Sequence, residues 1–130
     1  MCEGIYCVLL FDKEMYAADY NGVYGLIGGR IEPGEPQVAA LLRELNEETK
    51  LGVDDVLMIK DTGERRTFKS NRCAHPNKTE IHYMYVLSVS KAPQSGDIKV
   101  AKVTKKALLE SIPYPTQKTC LERIFKNENI

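Results

Sequence analysis

The 130-residue chain is 43% apolar and 28% charged, an ordinary balance for a globular protein, and its length suits a single domain over residues 1–130. No apolar run approaches the roughly 18 residues needed to cross a bilayer. The opening Met1-Cys2-Glu3-Gly4 has no basic stretch ahead of an apolar one, so no secretory leader is expected and a cytoplasmic location is. The four cysteines (Cys2, Cys7, Cys73, Cys120) form no C-x-x-C pair, which fits reduced thiols better than a stapled scaffold. Net charge is zero but unevenly spread: residues 1–60 hold 11 acids against 5 bases, and residues 81–130 hold 4 against 8. An acidic half suits a metal and a basic half suits phosphates, although a solvated surface can show the same asymmetry.

Residues 4–11 are apolar and β-prone and read as a buried strand. Residues 12–14 form a turn, 15–19 a second strand, and 24–27 a brief third one. Two glycines, a proline and another glycine then argue against regular structure over residues 28–34. A helix is expected from about Pro36 to Thr49 or Lys50, since proline is favoured in the first helical turn. Val38, Leu41, Leu42, Leu45 and Thr49 are spaced as its inward face. Residues 53–60 read as a strand, and 61–78 as a polar, basic loop or a hairpin with a mobile tip. Residues 81–89 are the clearest strand. Thr104 is a plausible N-cap for a short helix ending near Ile112-Pro113. Residues 116–125 form a last amphipathic helix, with Cys120, Leu121, Ile124 and Phe125 inward. Strands mixed with three helices imply an α+β fold or a three-layer α/β/α sandwich.

Glu44, Glu47 and Glu48 project from neighbouring positions on one helix face, turned away from the Val38/Leu42/Leu45 stripe. They sit in the last turns, where the helix dipole disfavours carboxylates by roughly 0.3–1 kcal/mol each. A solvated acidic face compensated by Arg43 is one explanation. A Mg²⁺ ion, which takes hard oxygen ligands and completes its shell with water and phosphate oxygens, is the other.

The wider spacing Gly29-x5-Glu35-x7-Arg43-Glu44-Leu45-x-Glu47-Glu48-x-Lys50-Leu51 resembles the Nudix box, G-x5-E-x7-R-E-U-x-E-E-x-G-U with U bulky and aliphatic. Eight of its nine specified positions are kept. Lys50 replaces the second glycine, so that Gly52 is expected to take over the turn and let the helix end slightly later. Ile27 stands where many relatives have proline. The resemblance implies a Nudix-type α/β/α sandwich with a mixed sheet. It also implies a Mg²⁺-dependent pyrophosphohydrolase, with Mn²⁺ as a substitute ion, that cleaves a phosphoanhydride in a nucleoside diphosphate derivative. A nucleoside triphosphate, cleaved as by MutT-like members, is the expected substrate. ADP-ribose, a nucleotide sugar, a dinucleoside polyphosphate, or a nucleotide-sensing role without turnover are the alternatives.

By the same resemblance, Glu47, Glu48 and the Gly28 carbonyl correspond to metal ligands. Glu44 corresponds to a metal ligand or the base for water, Arg43 orients Glu44, and Glu35 supports Arg43. Asp97 is the preferred additional acid and Glu80 its rival. Arg30, Arg65 and Arg66 are candidate substrate contacts, the last two within a basic cluster with Lys69 and Arg72 around Phe68. One of Tyr6, Tyr16, Tyr20 and Tyr24 could stack on a base. The pair Cys73-x-His75 lacks a second pair for a metal site. No nucleic-acid module is evident, so the expected partner is a small-molecule nucleotide, with neither stable nucleic acid nor membrane, and the protein a monomer or homodimer.

Overall fold

The structure, a computed structural model, describes residues 2–71, 73 and 79–130. Its strands are β1 (Cys2–Phe11), β2 (Glu14–Tyr20), β3 (Val23–Gly25), β4 (Ile27–Arg30), β5 (Val56–Lys69), β6 (Thr79–Val89) and β7 (Val100–Val103). Its helices are α1 (Gln37–Thr49), α2 (Lys105–Ser111) and α3 (Pro115–Asn127), with a 3₁₀ turn at Val53–Asp55. The sheet runs β3-β2-β1-β6-β5, with β4 also paired to β1 and β7 to β2. It is mixed, because β1 and β6 run parallel from Cys2↔Glu80 to Phe11↔Val89 while the other pairs are antiparallel.

β1 and β6 are the central strands and are apolar along both faces because both faces are covered. Ile5, Cys7 and Leu9 join Tyr85, Leu87 and Val89 beneath Leu41 and Leu45 of α1. Val8, Met84 and Val86 meet Leu108 of α2 and Leu121, Ile124 and Phe125 of α3 on the other side. The α/β/α sandwich expected from the sequence is therefore present, as is the inward face of α3.

Several expectations need correcting. Of the two readings of residues 61–78 the hairpin is the one present: β5 continues through residues 61–69 as an edge strand antiparallel to β6, with register shifts between Val56 and Met58 and between Asp61 and Arg65. Its polar residues are tolerated because an edge strand covers little core. The proposed tip of that hairpin, with Arg72 and His75, lies largely outside the described residues. Gly28 and Gly29 do not break structure but pair with Tyr6 and Ile5 as part of β4. A Cβ on Gly28 would stand 2.0 Å from the Ile5 carbonyl oxygen, and its φ is +148°, so only glycine permits this approach. Val38 is 40% exposed, whereas Ala40 and Glu48 join Leu41, Leu45 and Thr49 on the covered face. Gly52 does not take over the end of α1: Lys50 itself adopts φ +62° and donates its N–H to the Asn46 carbonyl at 3.0 Å. Cys2 and Cys73 form a disulfide, while Cys7 and Cys120 are buried thiols. This corrects the expectation of four reduced thiols; partners separated by 71 positions leave no local signature.

Candidate active site

The chain enters α1 through an extended Pro36 at the N-cap, preceded by Glu35, whose carboxylate accepts the Glu32 N–H at 3.0 Å. That bond closes the loop after β4 and fixes Glu35 beside the second turn of the helix. Arg43 then meets it through two donors, Nε to Oε2 at 2.8 Å and Nη2 to Oε1 at 3.1 Å. The same guanidinium donates to Glu44 Oε1 at 3.0 Å, to the Arg30 carbonyl at 2.8 Å and to Glu47 at 3.4 Å. One planar fork thus joins the end of β4, the start of α1 and two glutamates, a task suited to arginine's five rigidly arranged donors. The paired charges hold the Arg43 guanidinium above its ordinary range and Glu35 below the usual carboxylate range.

Glu48 is placed differently. It is 7% exposed, and its Oε1 accepts the Gly28 N–H at 2.8 Å. Burial pushes its carboxyl up to about 7 against the lowering effect of that N–H, and the charges of Glu44, Glu47 and Asp97 push in the same direction as burial. Glu44 is also raised, first by burial, with Arg43 opposing. Its carboxylate lies over Gly29, where a Cβ would meet Oε1 at 2.5 Å. The two glycines of β4 therefore serve the two glutamates that α1 turns towards β4: one supplies an N–H and the other leaves room.

The far end of α1 is closed by residues distant in sequence. The N–H groups of Gln94, Gly96 and Asp97 donate to the carbonyls of Thr49, Glu48 and Glu47 at 3.0, 2.9 and 2.8 Å. These bonds satisfy C-terminal carbonyls of the helix that have no partner within it. They also bring Asp97 into the electrostatic field of Glu48. A Cβ at Gly96 would lie 2.3 Å from the Glu47 carbonyl oxygen, so the loop can approach only as glycine. Glu80, the other candidate acid, lies elsewhere: it is buried against His82 Nε2 at 2.9 Å and stands 4.0 Å from Arg30.

The remaining candidates separate by face. Arg65 pairs with Asp61 at 3.0 Å and stacks on Tyr83, whereas Arg66 lies on the opposite face of β5 between Phe68 and Tyr114. Arg30 extends into solvent from the end of β4. On the Arg66 side a cavity of about 680 Å³ opens, walled by Tyr6, Tyr24, Phe68, His82, Tyr114 and Gln117 among others. Its margin includes Tyr20, whose phenol is raised by burial and then by the charges of Glu48 and Glu44, so this margin of the cavity lies within the electrostatic reach of the two glutamates. Tyr16 instead packs on Phe11 on the α1 side. Tyr114, in the α2–α3 connection, and Gln117, in the first turn of α3, were not anticipated as wall residues, because neither stands in a distinguishing pattern.

Buried carboxylate oxygens that raise one another's proton affinity make a donor set suited to a hard divalent cation. Among the described residues, no three acidic, histidine or cysteine side chains stand in ready-made metal-holding geometry. Glu44 and Glu47 meet at Arg43 instead, and Glu47, with its side chain 44% exposed, has room to turn.

A strand–loop–helix unit thus sets a buried and a half-buried glutamate on the side of α1 that faces β4. Residues 3–115 match the family model of the NUDIX domain, and the chain belongs to the Nudix family of hydrolases. Such enzymes generally use divalent metal ions. No curated protein sequence matches the chain. Among solved structures it is similar to the Escherichia coli dihydroneopterin triphosphate pyrophosphohydrolase (15% identity, TM-score 0.78, 96% of this chain and 95% of that one). It is also similar to the MutT studied from Aliivibrio salmonicida and Vibrio cholerae (13%, 0.70, 96% of each chain). A Caenorhabditis elegans Ap4A hydrolase matches at 14% identity and TM-score 0.74, covering 99% of this chain and 98% of that one. At these identities the likeness is one of fold. No described helix is long and apolar enough to cross a membrane.

Proposed function

We propose that the chain is a divalent-metal-dependent pyrophosphohydrolase, Mg²⁺ being the resident ion, that cleaves a nucleoside triphosphate to the monophosphate and pyrophosphate. The observation that carries this reading is Glu48: a buried carboxylate held by the Gly28 N–H and crowded by Glu44, Glu47 and Asp97, beside an aromatic cavity of base-bearing size. The residues suited to hold the ion are Glu48, Glu47, Glu44 and the Gly28 carbonyl. When bound, the ion supplies positive charge for the phosphate oxygens and favours deprotonated water.

The chain's own groups account for the rest. A water oxygen forms a bond to phosphorus, the anhydride P–O bond on the far side breaks, and the phosphate group beyond that bond leaves with the bonding pair. The proton released by the water passes to a Glu44 carboxylate oxygen, whose burial strengthens its hold on a proton. Arg43, anchored by Glu35 and the Arg30 carbonyl, keeps Glu44 oriented through the cycle. Arg30, at the end of β4, and Arg65 and Arg66, on opposite faces of β5, are the cations this reading assigns to a polyphosphate or its base. Asp97 adds a further carboxylate, whereas Glu80 is committed to His82. The substrate is a free nucleotide, and a cytoplasmic location and a chain acting as one domain, as monomer or homodimer, go with this reading.

The test is hydrolysis of a panel of nucleoside triphosphates, dinucleoside polyphosphates, ADP-ribose and nucleotide sugars with Mg²⁺, by the parent and by Glu48→Gln. Turnover of triphosphates that the substitution abolishes supports the proposal. Nucleotide binding without turnover on any compound supports the sensing role instead.

A further inference from the structure

Arg66 differs from the other well-placed arginines of the chain. Arg43, Arg65 and Arg123 each meet a carboxylate at 3.0 Å or less. Arg66 is more buried, at 9% exposure, and among the described residues no carboxylate pairs with it. Glu80 affects it only through its field, being engaged by His82 and Arg30. Burying a cation without an anionic partner is costly, and burial accordingly lowers the proton affinity of Arg66.

What Arg66 does have is a mount. Phe68 and Tyr114 flank it, their ring centres 4.1 and 4.9 Å from the guanidinium carbon, and its Nε donates to Thr116 Oγ1 at 2.6 Å in the first turn of α3. Two rings and one hydrogen bond fix the plane of the fork and commit Nε. The terminal nitrogens remain as a pair of parallel donors at the wall of a cavity that the tyrosines of the early strands share with Lys69 and Ser70.

Two parallel N–H donors match two acceptors lying side by side. A ring carbonyl next to an unprotonated ring nitrogen provides that edge, as O6 and N7 of a 6-oxopurine do. Adenine sets an amino donor beside N7, so one of the two contacts becomes donor against donor. Uracil protonates the ring nitrogen between its two carbonyls, and cytosine, which does set O2 beside a bare N3, carries that edge on a single ring that leaves more of the cavity wall uncovered. A fused bicycle also covers more of the Tyr6, Tyr20 and Tyr24 side of the cavity than a single ring does.

We propose that Arg66 is a specificity-determining residue, mounted by Phe68, Tyr114 and Thr116, that selects nucleotides whose fused ring presents a carbonyl oxygen beside a bare ring nitrogen, the 6-oxopurine class. This rests on the pyrophosphohydrolase reading above and names its substrate class.

The test compares kcat/KM for GTP, 7-deaza-GTP and ATP in the parent, Arg66→Leu, Arg66→Lys and Thr116→Val, with thermal melting to verify folding. In the parent, GTP is preferred over 7-deaza-GTP and over ATP, each by about 5- to 100-fold, the span one two-point contact supplies. Both ratios collapse towards unity in Arg66→Leu and fall in Arg66→Lys, which keeps the charge but not the fork. Thr116→Val, which frees Nε, lowers them by less. If Arg66→Leu does not fold, Arg66→Lys decides on the same ratios. Equal losses on all three nucleotides would overturn the proposal, since they mean that Arg66 holds a phosphate and not the ring. A parent without GTP preference would overturn it as well. Absence of turnover on every nucleotide would instead strike the pyrophosphohydrolase reading, and calorimetric binding of GTP against 7-deaza-GTP would still decide the role of Arg66.

Discussion

Replacing Glu48 with Gln should stabilise the metal-free protein at alkaline pH while destroying its response to metal. In the folded chain the carboxyl is pushed up to about 7 from an ordinary 4.5, first by burial and then by Glu44, Glu47 and Asp97. A carboxyl whose folded value is raised favours the fold fully below about pH 4.5 and progressively loses that contribution as pH rises through about 7. The shift corresponds to a loss of about 3 kcal/mol by pH 8. Gln removes the titration and keeps an oxygen to accept the Gly28 N–H. For a chain of this length, about 3 kcal/mol is worth roughly 10 °C in melting temperature. In EDTA, the variant should melt close to the parent at pH 5 and roughly 10 °C above it at pH 8. Glu44, raised in the same sense, leaves the variant with a weaker pH dependence of its own. Millimolar Mg²⁺ should raise the melting temperature of the parent at pH 8 and leave the variant unmoved. A difference between the two proteins that is the same at pH 5 and pH 8 would refute the reasoning, because it would mean that Glu48 does not titrate in that interval.

Other expectations follow from neighbouring contacts. Arg43→Lys keeps a charge but cannot bridge Glu35, Glu44 and the Arg30 carbonyl together, so kcat/KM should fall about 10- to 100-fold, as for other residues that orient metal-site groups. Gly28→Ala drives a methyl towards the Ile5 carbonyl and should cost more than about 3 kcal/mol, seen as insolubility or a lower denaturant midpoint. Lys50→Gly relaxes a left-handed residue at the end of α1 and should add about 1 kcal/mol of stability in urea unfolding, with turnover unchanged.

The sequence made the centre of the fold legible and the periphery less so, for identifiable reasons. β1 and β6 are covered on both faces, and such strands show as unbroken apolar runs; α3 has a covered stripe at helical spacing. β5 beyond Lys60 is an edge whose polar side chains obscure its pairing, and the short β7 was missed altogether. In α1 the periodicity located the helix but misplaced two side chains. Val38 faces outward, while Glu48 turns inward because the Gly28 N–H lies within its reach. The link between Arg43 and Glu35 could be anticipated from their spacing in the box. The packing of the 94–97 loop on the end of α1, which carries Asp97 to Glu48, depends on hydrogen bonds across more than forty positions and has no local signal. The aromatic cavity was only half visible. Tyr6, Tyr20 and Tyr24 lie in early strands, but Tyr114 and Gln117 reach it through the packing of α3.

The most direct test of the central claim is hydrolysis of a nucleoside triphosphate in ¹⁸O-water with Mg²⁺, followed by phosphorus NMR and mass spectrometry, for the parent and Glu48→Gln. The account predicts nucleoside monophosphate and pyrophosphate, a single ¹⁸O in one of the two, loss of turnover in EDTA, and no turnover by the variant. Release of orthophosphate as the first product, or cleavage by the variant at the parent's rate, would contradict it.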